Sequence, residues 1–179
     1  MQDILGILIQ AIWFILPAYF ANAAPVVSGG RFPIDGGKRF SDGNRILGDG
    51  KTIEGFLFGW LVGASLGLIQ IIIWTHFGSE FVLLPKTVSW SWLVPVLLSL
   101  GALLGDLVAS FFKRRSNIER GAPVLGVDQL DLILGSLLVT SPVWLPEWEV
   151  IVVLLVVTPL IHLATNRIAF GLGLKSEPY

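Results

Sequence analysis

The chain has 179 residues, no cysteine, 54% hydrophobic and 14% charged residues, and a mean hydropathy of +0.76. A soluble domain is nearer a quarter charged, so this composition excludes a cytosolic enzyme, a disordered tail and a disulfide scaffold. Twelve basic against thirteen acidic residues leave a formal charge of −1, which argues against electrostatic nucleic-acid binding.

A helix rises 1.5 Å per residue, so a bilayer core of about 30 Å takes roughly 20 apolar residues. Residues 4–24 carry no charge and form the first span; lacking a basic start, and with an apolar run too long for a secretory leader, they read as retained. Asn22 and Pro25 close that span, where a polar helix end either caps the helix or touches a ligand. The loop 25–54 holds seven glycines interleaved with charge, and a structureless loop of this length is either disordered or functional. Its end, Gly48-Asp49-Gly50-Lys51-Thr52-Ile53-Glu54-Gly55, runs straight into the second span, 55–79. Glycine lets backbone N–H groups approach an anion, and a helix start adds its positive dipole. A nucleotide P-loop would need glycine where Arg45 stands and a strand ahead of it. What survives is an anion site with Lys51 and Thr52 as ligands, or simply a basic loop entering a membrane.

The third span, 92–112, contains one charge, Asp106, which precedes Lys113 by seven residues or about 10 Å of helix. The fourth, 127–144, opens with Asp128 and Asp131, three apart and so on one helical face. A short loop, 113–126, makes these two spans antiparallel neighbours. The fifth, 150–170, carries Arg167 near its end, and His162 and Asn166 one turn apart, which read as bonds to a neighbouring helix or as site residues.

Eleven of the twelve basic residues lie in loop 25–54, in loop 113–126 or toward the C-terminal end, and only Lys86 lies on the other side. Lysine and arginine accumulate in cytoplasmic loops, so the N-terminus is expected outside and the C-terminus in the cytoplasm. Trp74, Trp90, Trp92, Trp144 and Trp148 fall near the outer turns, as an aromatic belt would. The expected fold is one all-α integral membrane domain over 1–179, with five transmembrane helices in the plasma membrane and a cytoplasm-facing polar cavity.

An aspartate in hydrocarbon costs about 3 kcal/mol unless it finds a partner, so Asp106, Asp128 and Asp131 are the prime functional candidates. Antiparallel pairing of their spans brings all three to one cytoplasmic cavity. Three hard oxygen donors, with no cysteine and two histidines in the chain, suit Mg²⁺, which shares its coordination with waters and substrate phosphates. The plainer reading pairs Asp106 with a lysine and lets Asp128 and Asp131 stabilise a helix start. Ser110, Lys113 and Arg114 lie near the same helical stripe as Asp106, placing a metal at its deep end and phosphates at its shallow end. Otherwise Lys113-Arg114-Arg115 is only a topogenic cluster.

The run Gly105-Asp106, Ser110 and Lys113-Arg114, followed by Asp128-Gln129-Leu130-Asp131, resembles the signature of the CDP-diacylglycerol synthase superfamily of integral membrane cytidylyltransferases. Gln129 stands where that signature usually has arginine, and the glycine- and histidine-rich loop of the bacterial enzymes is missing. The small size, the five spans and Arg45-Ile46-Leu47-Gly48-Asp49-Gly50-Lys51-Thr52 resemble instead its archaeal, CDP-archaeol synthase branch.

That resemblance implies transfer of CMP from CTP to 2,3-bis-O-geranylgeranyl-sn-glycerol 1-phosphate, a membrane lipid phosphate, with release of pyrophosphate and with Mg²⁺ as cofactor. It implies Asp106, Asp128 and Asp131 as Mg²⁺ ligands, and Ser110, Lys113, Arg114 and Arg115 near the phosphates. Lys51 and Thr52 fall on CTP, flanked by Gly48 and Gly55; Lys38 and Arg39 are matched by loop position, and Asn22 and Pro25 complete the candidate set. The chemistry suits these residues: a phosphate monoester, with a second pKa of about 6, is already largely ionised at neutral pH and needs no general base. Two other readings use the same residues. One is a different membrane transferase acting on a polyprenyl or glycerol phosphate; the other is a cation or phosphate transporter, which the apolar outer halves of the spans disfavour.

Overall fold

The computed structural model describes residues 4–77, 91–118, 122, 124 and 126–173, without the side chain of Gln129. Lys86, Trp90, Arg120, Lys175 and the last two residues of the expected 55–79 span lie outside the described residues. Five helices run in chain order: α1 (Ile4–Ser28), α2 (Ile53–Phe77), α3 (Leu93–Arg115), α4 (Val127–Thr140) and α5 (Trp148–Gly171). α1, α2, α3 and α5 are long and apolar enough to cross a membrane. At 14 residues α4 reaches only about 21 Å, short of a 30 Å hydrocarbon core.

Three helix ends differ from the sequence expectation by three residues or more. α4 stops at Thr140 rather than Trp144, because Pro142 lacks an N–H and disfavours helical geometry at Ser141. Trp144, beyond the helix end, packs its ring on Phe14 of α1, 5.4 Å between centroids. α3 runs on through Arg115, where three basic residues complement the negative helix end, and it closes on Asn117 at a left-handed φ of 55°. α1 continues past Pro25 to Ser28, so Asn22 and Pro25 lie inside the helix and neither caps it.

The prolines of α1 survive because α2 answers them. Pro17 has no N–H for the carbonyl of Trp13, and the Gln70 side-chain amide donates to that oxygen instead at 2.9 Å. Gly55, Gly59, Gly63 and Gly67 recur every fourth residue along α2 and let its backbone lie against Pro25, Ala21 and Pro17 of α1 and Pro95 of α3. A Cβ on Gly59 would stand 2.5 Å from the Ala21 carbonyl oxygen. In a bilayer, where lipid is as apolar as leucine, such close backbone approach takes over much of what hydrophobic burial does in water.

α1 touches all four other helices, whereas among the described residues α2 and α5 do not meet. The core drawn from α1, α3, α4 and α5 centres on Phe14, Ile15, Leu98, Leu132, Ile133, Val150 and Leu154. Tyr19 and Thr158 share a 2.6 Å hydrogen bond that ties α1 to α5. The perimeter is apolar, with Leu61, Leu138, Val156 and Leu160 all more than half exposed, as a surface facing hydrocarbon requires.

Candidate active site

α3 and α4 are the most extensively packed pair, and they cross on glycine. Gly101 lies against the backbone of Gly135 and Gly105 against the carbonyl of Asp131, which fixes the antiparallel register; a side chain at Gly105 would collide with that carbonyl. The close approach sets Asp106, the residue after Gly105, beside Asp131. Asp128 lies one turn before Asp131 on α4. The sequence spacing expected the three acids in one cavity; the structure sets Gly105-Asp106 against the Asp131 backbone and Asp128 on Lys113, and among the described residues no three acids group to hold an ion.

Two of the acids are engaged by lysines. Lys113, near the end of α3, donates to both carboxylate oxygens of Asp128 at 3.0 and 2.9 Å, and the same carboxylate accepts from the Val124 N–H at 3.0 Å. Lys51, at the end of the glycine loop, pairs with Asp106. Asp131 accepts from the Leu132 N–H at 2.5 Å and has no ion-pair partner among the described residues. Ser110 is buried one turn after Asp106. Arg114 lies against Gly48, whose φ is +96°, and its buried Nε has no hydrogen-bond partner among the described residues. A buried guanidinium nitrogen left open beside a glycine turn suits an incoming phosphate oxygen.

Several sequence-predicted ligands prove to hold the loop together. Thr52 is buried; its hydroxyl donates to the Gly29 carbonyl at 3.2 Å and accepts the Gly55 N–H at 3.2 Å, capping α2. Gly55 is required there because a Cβ would lie 2.8 Å from the Thr52 hydroxyl. Pro25 packs against Gly55 and Gly59, and Asn22 sits half-buried within α1, so neither forms the polar helix end expected of it. Arg39 donates to the Gly43 carbonyl at 2.7 Å within its own loop, and Lys38 is exposed next to it. His162 and Asn166 contact each other along α5 at 3.3 Å.

Arg115 is engaged by the loop: its guanidinium lies 4.8 Å from the ring centres of both Phe40 and Phe111. Its Nε is 2.6 Å from Asp42, and its terminal nitrogen donates to the Arg45 carbonyl at 2.6 Å. Asn44 and Asn117, 2.9 Å apart, make a second tie between the loop and the end of α3.

The loop itself is ordered around Asp35, which the sequence did not single out. Its buried carboxylate accepts from Arg45 at 2.6 Å and from the N–H groups of Gly37, Leu47 and Gly48 at 3.0–3.1 Å. Burial pushes this carboxyl up, but the Arg45 bond and the three N–H donors more than offset it and hold Asp35 well below the usual carboxylate range. Asp35 and then Asp49 keep Arg45 protonated in return. Available signals were the Asp35-Gly36-Gly37 turn and an arginine ten residues on.

The donor set was tested for a metal. Among the described residues no three carboxylate, histidine or cysteine side chains stand together so as to hold an ion by themselves. Mg²⁺ does not ask for such a cage, since it keeps waters and takes one or two carboxylates plus phosphates. Asp131, without a cation of its own and flanked by Asp106 and Asp128, fits that requirement.

A family model described as CarS-like, CDP-archaeol synthase, matches residues 4–179. The chain belongs to the CDP-archaeol synthase family. It is 48% identical over 169 residues to the CDP-archaeol synthase of Thermococcus gammatolerans, covering 94% of this chain and 95% of that one. The CDP-archaeol synthase of Pyrococcus furiosus is 47% identical over 173 residues, covering 96% and 98%. A solved structure described as "Structural insight into an intramembrane enzyme for archaeal membrane lipids biosynthesis" superposes with a TM-score of 0.73 at 41% identity, covering 89% of this chain and 94% of that one. The family resemblance read from Gly105–Arg114 and Asp128–Asp131 is therefore borne out, and the chain is a multi-span membrane enzyme.

Proposed function

We propose that this member of the CDP-archaeol synthase family transfers CMP from CTP to 2,3-bis-O-geranylgeranyl-sn-glycerol 1-phosphate at the cytoplasmic face of the plasma membrane, with Mg²⁺ as cofactor. The observation that carries the reading is the pairing of Asp106 with Lys51 and of Asp128 with Lys113 along the α3–α4 seam that Asp131 also lines, beside an ordered glycine loop. Such an arrangement lets a soluble polyphosphate arrive from the loop side while a lipid phosphate arrives from the bilayer side. The excess of basic residues in loops 25–54 and 113–126 supports a cytoplasmic site.

An oxygen of the lipid phosphate attacks the α-phosphorus of CTP; the bond to the β-phosphate oxygen breaks, and that electron pair leaves with pyrophosphate. The nucleophile is already anionic, so the residues need no proton acceptor and serve to bring two anions together. Arg114, with its open Nε beside Gly48, would grip a phosphate oxygen; Lys51 and Lys113 would supply point charges to the triphosphate. Asp131 with Asp106 and Asp128 would hold Mg²⁺, which when bound neutralises polyphosphate charge and stabilises the leaving group.

The test uses the full chain in detergent or liposomes with the lipid phosphate and CTP labelled at the α-phosphate. Label should move into the organic phase, γ-label should not, and EDTA or Asp131→Asn should lower the rate about 10³-fold. An EDTA-insensitive rate, or full activity in Asp106→Asn, Asp128→Asn and Asp131→Asn, would overturn the site.

A further inference from the structure

The acids that would hold a cation are already held by cations of the chain. Lys113 grips both oxygens of Asp128, Lys51 pairs with Asp106, and among the described residues Asp131 has no lysine partner. These pairs are half-buried, with side-chain exposures of 14–27%, so they are weakly screened and not the loose surface pairs that contribute little. They also draw Asp106 and Asp128 toward separate lysines, and in this arrangement no three acids converge on one point. Three carboxylates against two ammonium groups leave one net negative charge, whereas three bare carboxylates this close would repel strongly.

We infer that Lys51 and Lys113 are placeholder cations: without metal they neutralise Asp106 and Asp128, and when the metal and nucleotide enter together they are released from those acids to the phosphates. The inference rests on the proposed cytidylyltransferase reading and adds to it an exchange of partners. Lysine suits the exchange because its charge sits on a flexible stem with no fixed fork to break. Lys51 directly follows the Gly48-Asp49-Gly50 turn, and Lys113 lies one residue before Arg114, whose Nε is already open. Each lysine then needs only side-chain rotation to swing from carboxylate to phosphate. The device also ties metal to nucleotide: a free divalent ion must displace lysine charge with nothing to receive it, whereas a metal–triphosphate brings the receiving anion along.

The consequence has opposite signs for two ligands. In Lys51→Met and in Lys113→Met the competing charge is gone, so Mn²⁺ alone should bind about tenfold more tightly than to wild type. The same variants have lost a phosphate contact, so CTP in the presence of saturating Mn²⁺ should bind about tenfold more weakly. Lys51→Arg and Lys113→Arg retain the charge and should leave the affinity for Mn²⁺ alone near that of wild type. Electron paramagnetic resonance of free Mn²⁺ in titrations of the detergent-purified chain reads the first quantity without catalysis. Equilibrium dialysis of labelled CTP reads the second, and a thermal melt checks folding. If a Met variant fails to fold, Lys51→Gln or Lys113→Gln replaces it. Unchanged or weaker binding of Mn²⁺ alone in all folded neutral variants would overturn the inference, while wild-type Mn²⁺–CTP binding that is lost in Asp131→Asn keeps the proposed function standing. Absence of any Mn²⁺–CTP binding to wild type would instead overturn that function.

Discussion

Two glycine-lined seams hold this molecule together, and they differ in what stands beside the glycines. Between α1 and α2 the neighbours are Pro17, Ala21 and Pro25, and the seam ends in the Thr52 cap. Between α3 and α4 the same device presses Gly105 onto the backbone of Asp131, and the residue that follows Gly105 is Asp106. Close backbone packing is thus a general means of assembling helices in a bilayer. It becomes a site only where a carboxylate is carried into the seam, because there the register between two helices also fixes the spacing between charges.

The sharpest way to break that comparison is to place one methyl group in each seam. Gly63→Ala and Gly105→Ala each insert a Cβ against a backbone oxygen, and each should cost about 1–3 kcal/mol of stability. Only Gly105→Ala shifts the register of Asp106 against Asp131, so the specific activity of its folded fraction should fall about 100-fold while that of Gly63→Ala stays near wild type. Activity normalised to the fraction of monodisperse, folded protein separates the two; equal losses in both variants would mean that the α3–α4 seam has no special role.

Much of this was legible in the sequence. Charge in hydrocarbon is rare enough that Asp106, Asp128 and Asp131 stood out, and a short connection predicted the antiparallel packing of their two helices that the structure shows. Helix ends were legible only where the local rule was unopposed. Pro25 stops a helix by its own chemistry, but α2 packs so closely on α1 that the helix continues, and this tertiary contact is not written next to Pro25. The roles of the polar loop residues were the least legible. Thr52 and Arg115 carry groups equally suited to anions and to backbone carbonyls, and the choice depends on Gly29, Phe40, Asp42 and Phe111 folding back from elsewhere in the chain. The period of four from Gly55 to Gly67 is a signal that charge and hydropathy pass over, and it marks the α1–α2 contact.

The loop and the seam can be separated through Arg115. Arg115→Ala removes two ring contacts, the Asp42 pair and the bond to the Arg45 carbonyl, and should loosen the loop by about 2 kcal/mol. Hydrogen exchange should rise across residues 38–47 and stay unchanged in the middle of α3 and α4. KM for CTP should rise more than kcat falls, since Arg115 positions the loop and does not contact the cluster. Arg115→Lys keeps the charge but not the planar stacking, and should recover only part of the protection. A uniform fall in kcat with normal loop protection would return Arg115 to the phosphates.

A smaller effect is expected at the junction of loop and α2. Thr52→Val deletes the hydroxyl that serves Gly29 and Gly55, at about 1 kcal/mol, and Thr52→Ser should restore most of it. If Thr52 instead bound the nucleotide directly, Thr52→Val would weaken CTP binding with no change in the melting of the loop.

The last effect vanishes at neutral pH and separates the two regions by acid. Asp35 is ionised in the folded loop with a carboxyl held far below its ordinary range, whereas in an opened loop it takes up a proton near pH 4. A depressed folded value means that the open form binds more protons as pH falls, so acid favours opening. Loop protection should therefore be constant from pH 7 down to about 4, then decline as the pH drops toward the folded value. Asp35→Asn removes the titrating group and should flatten that decline, at the cost of weaker protection throughout because an amide pairs poorly with Arg45. Hydrogen exchange at residues 44–48 between pH 3 and 5, corrected for the intrinsic rate, reads this directly. A decline of the same size in Asp35→Asn would move its origin away from the loop and toward the carboxylates of the α3–α4 seam.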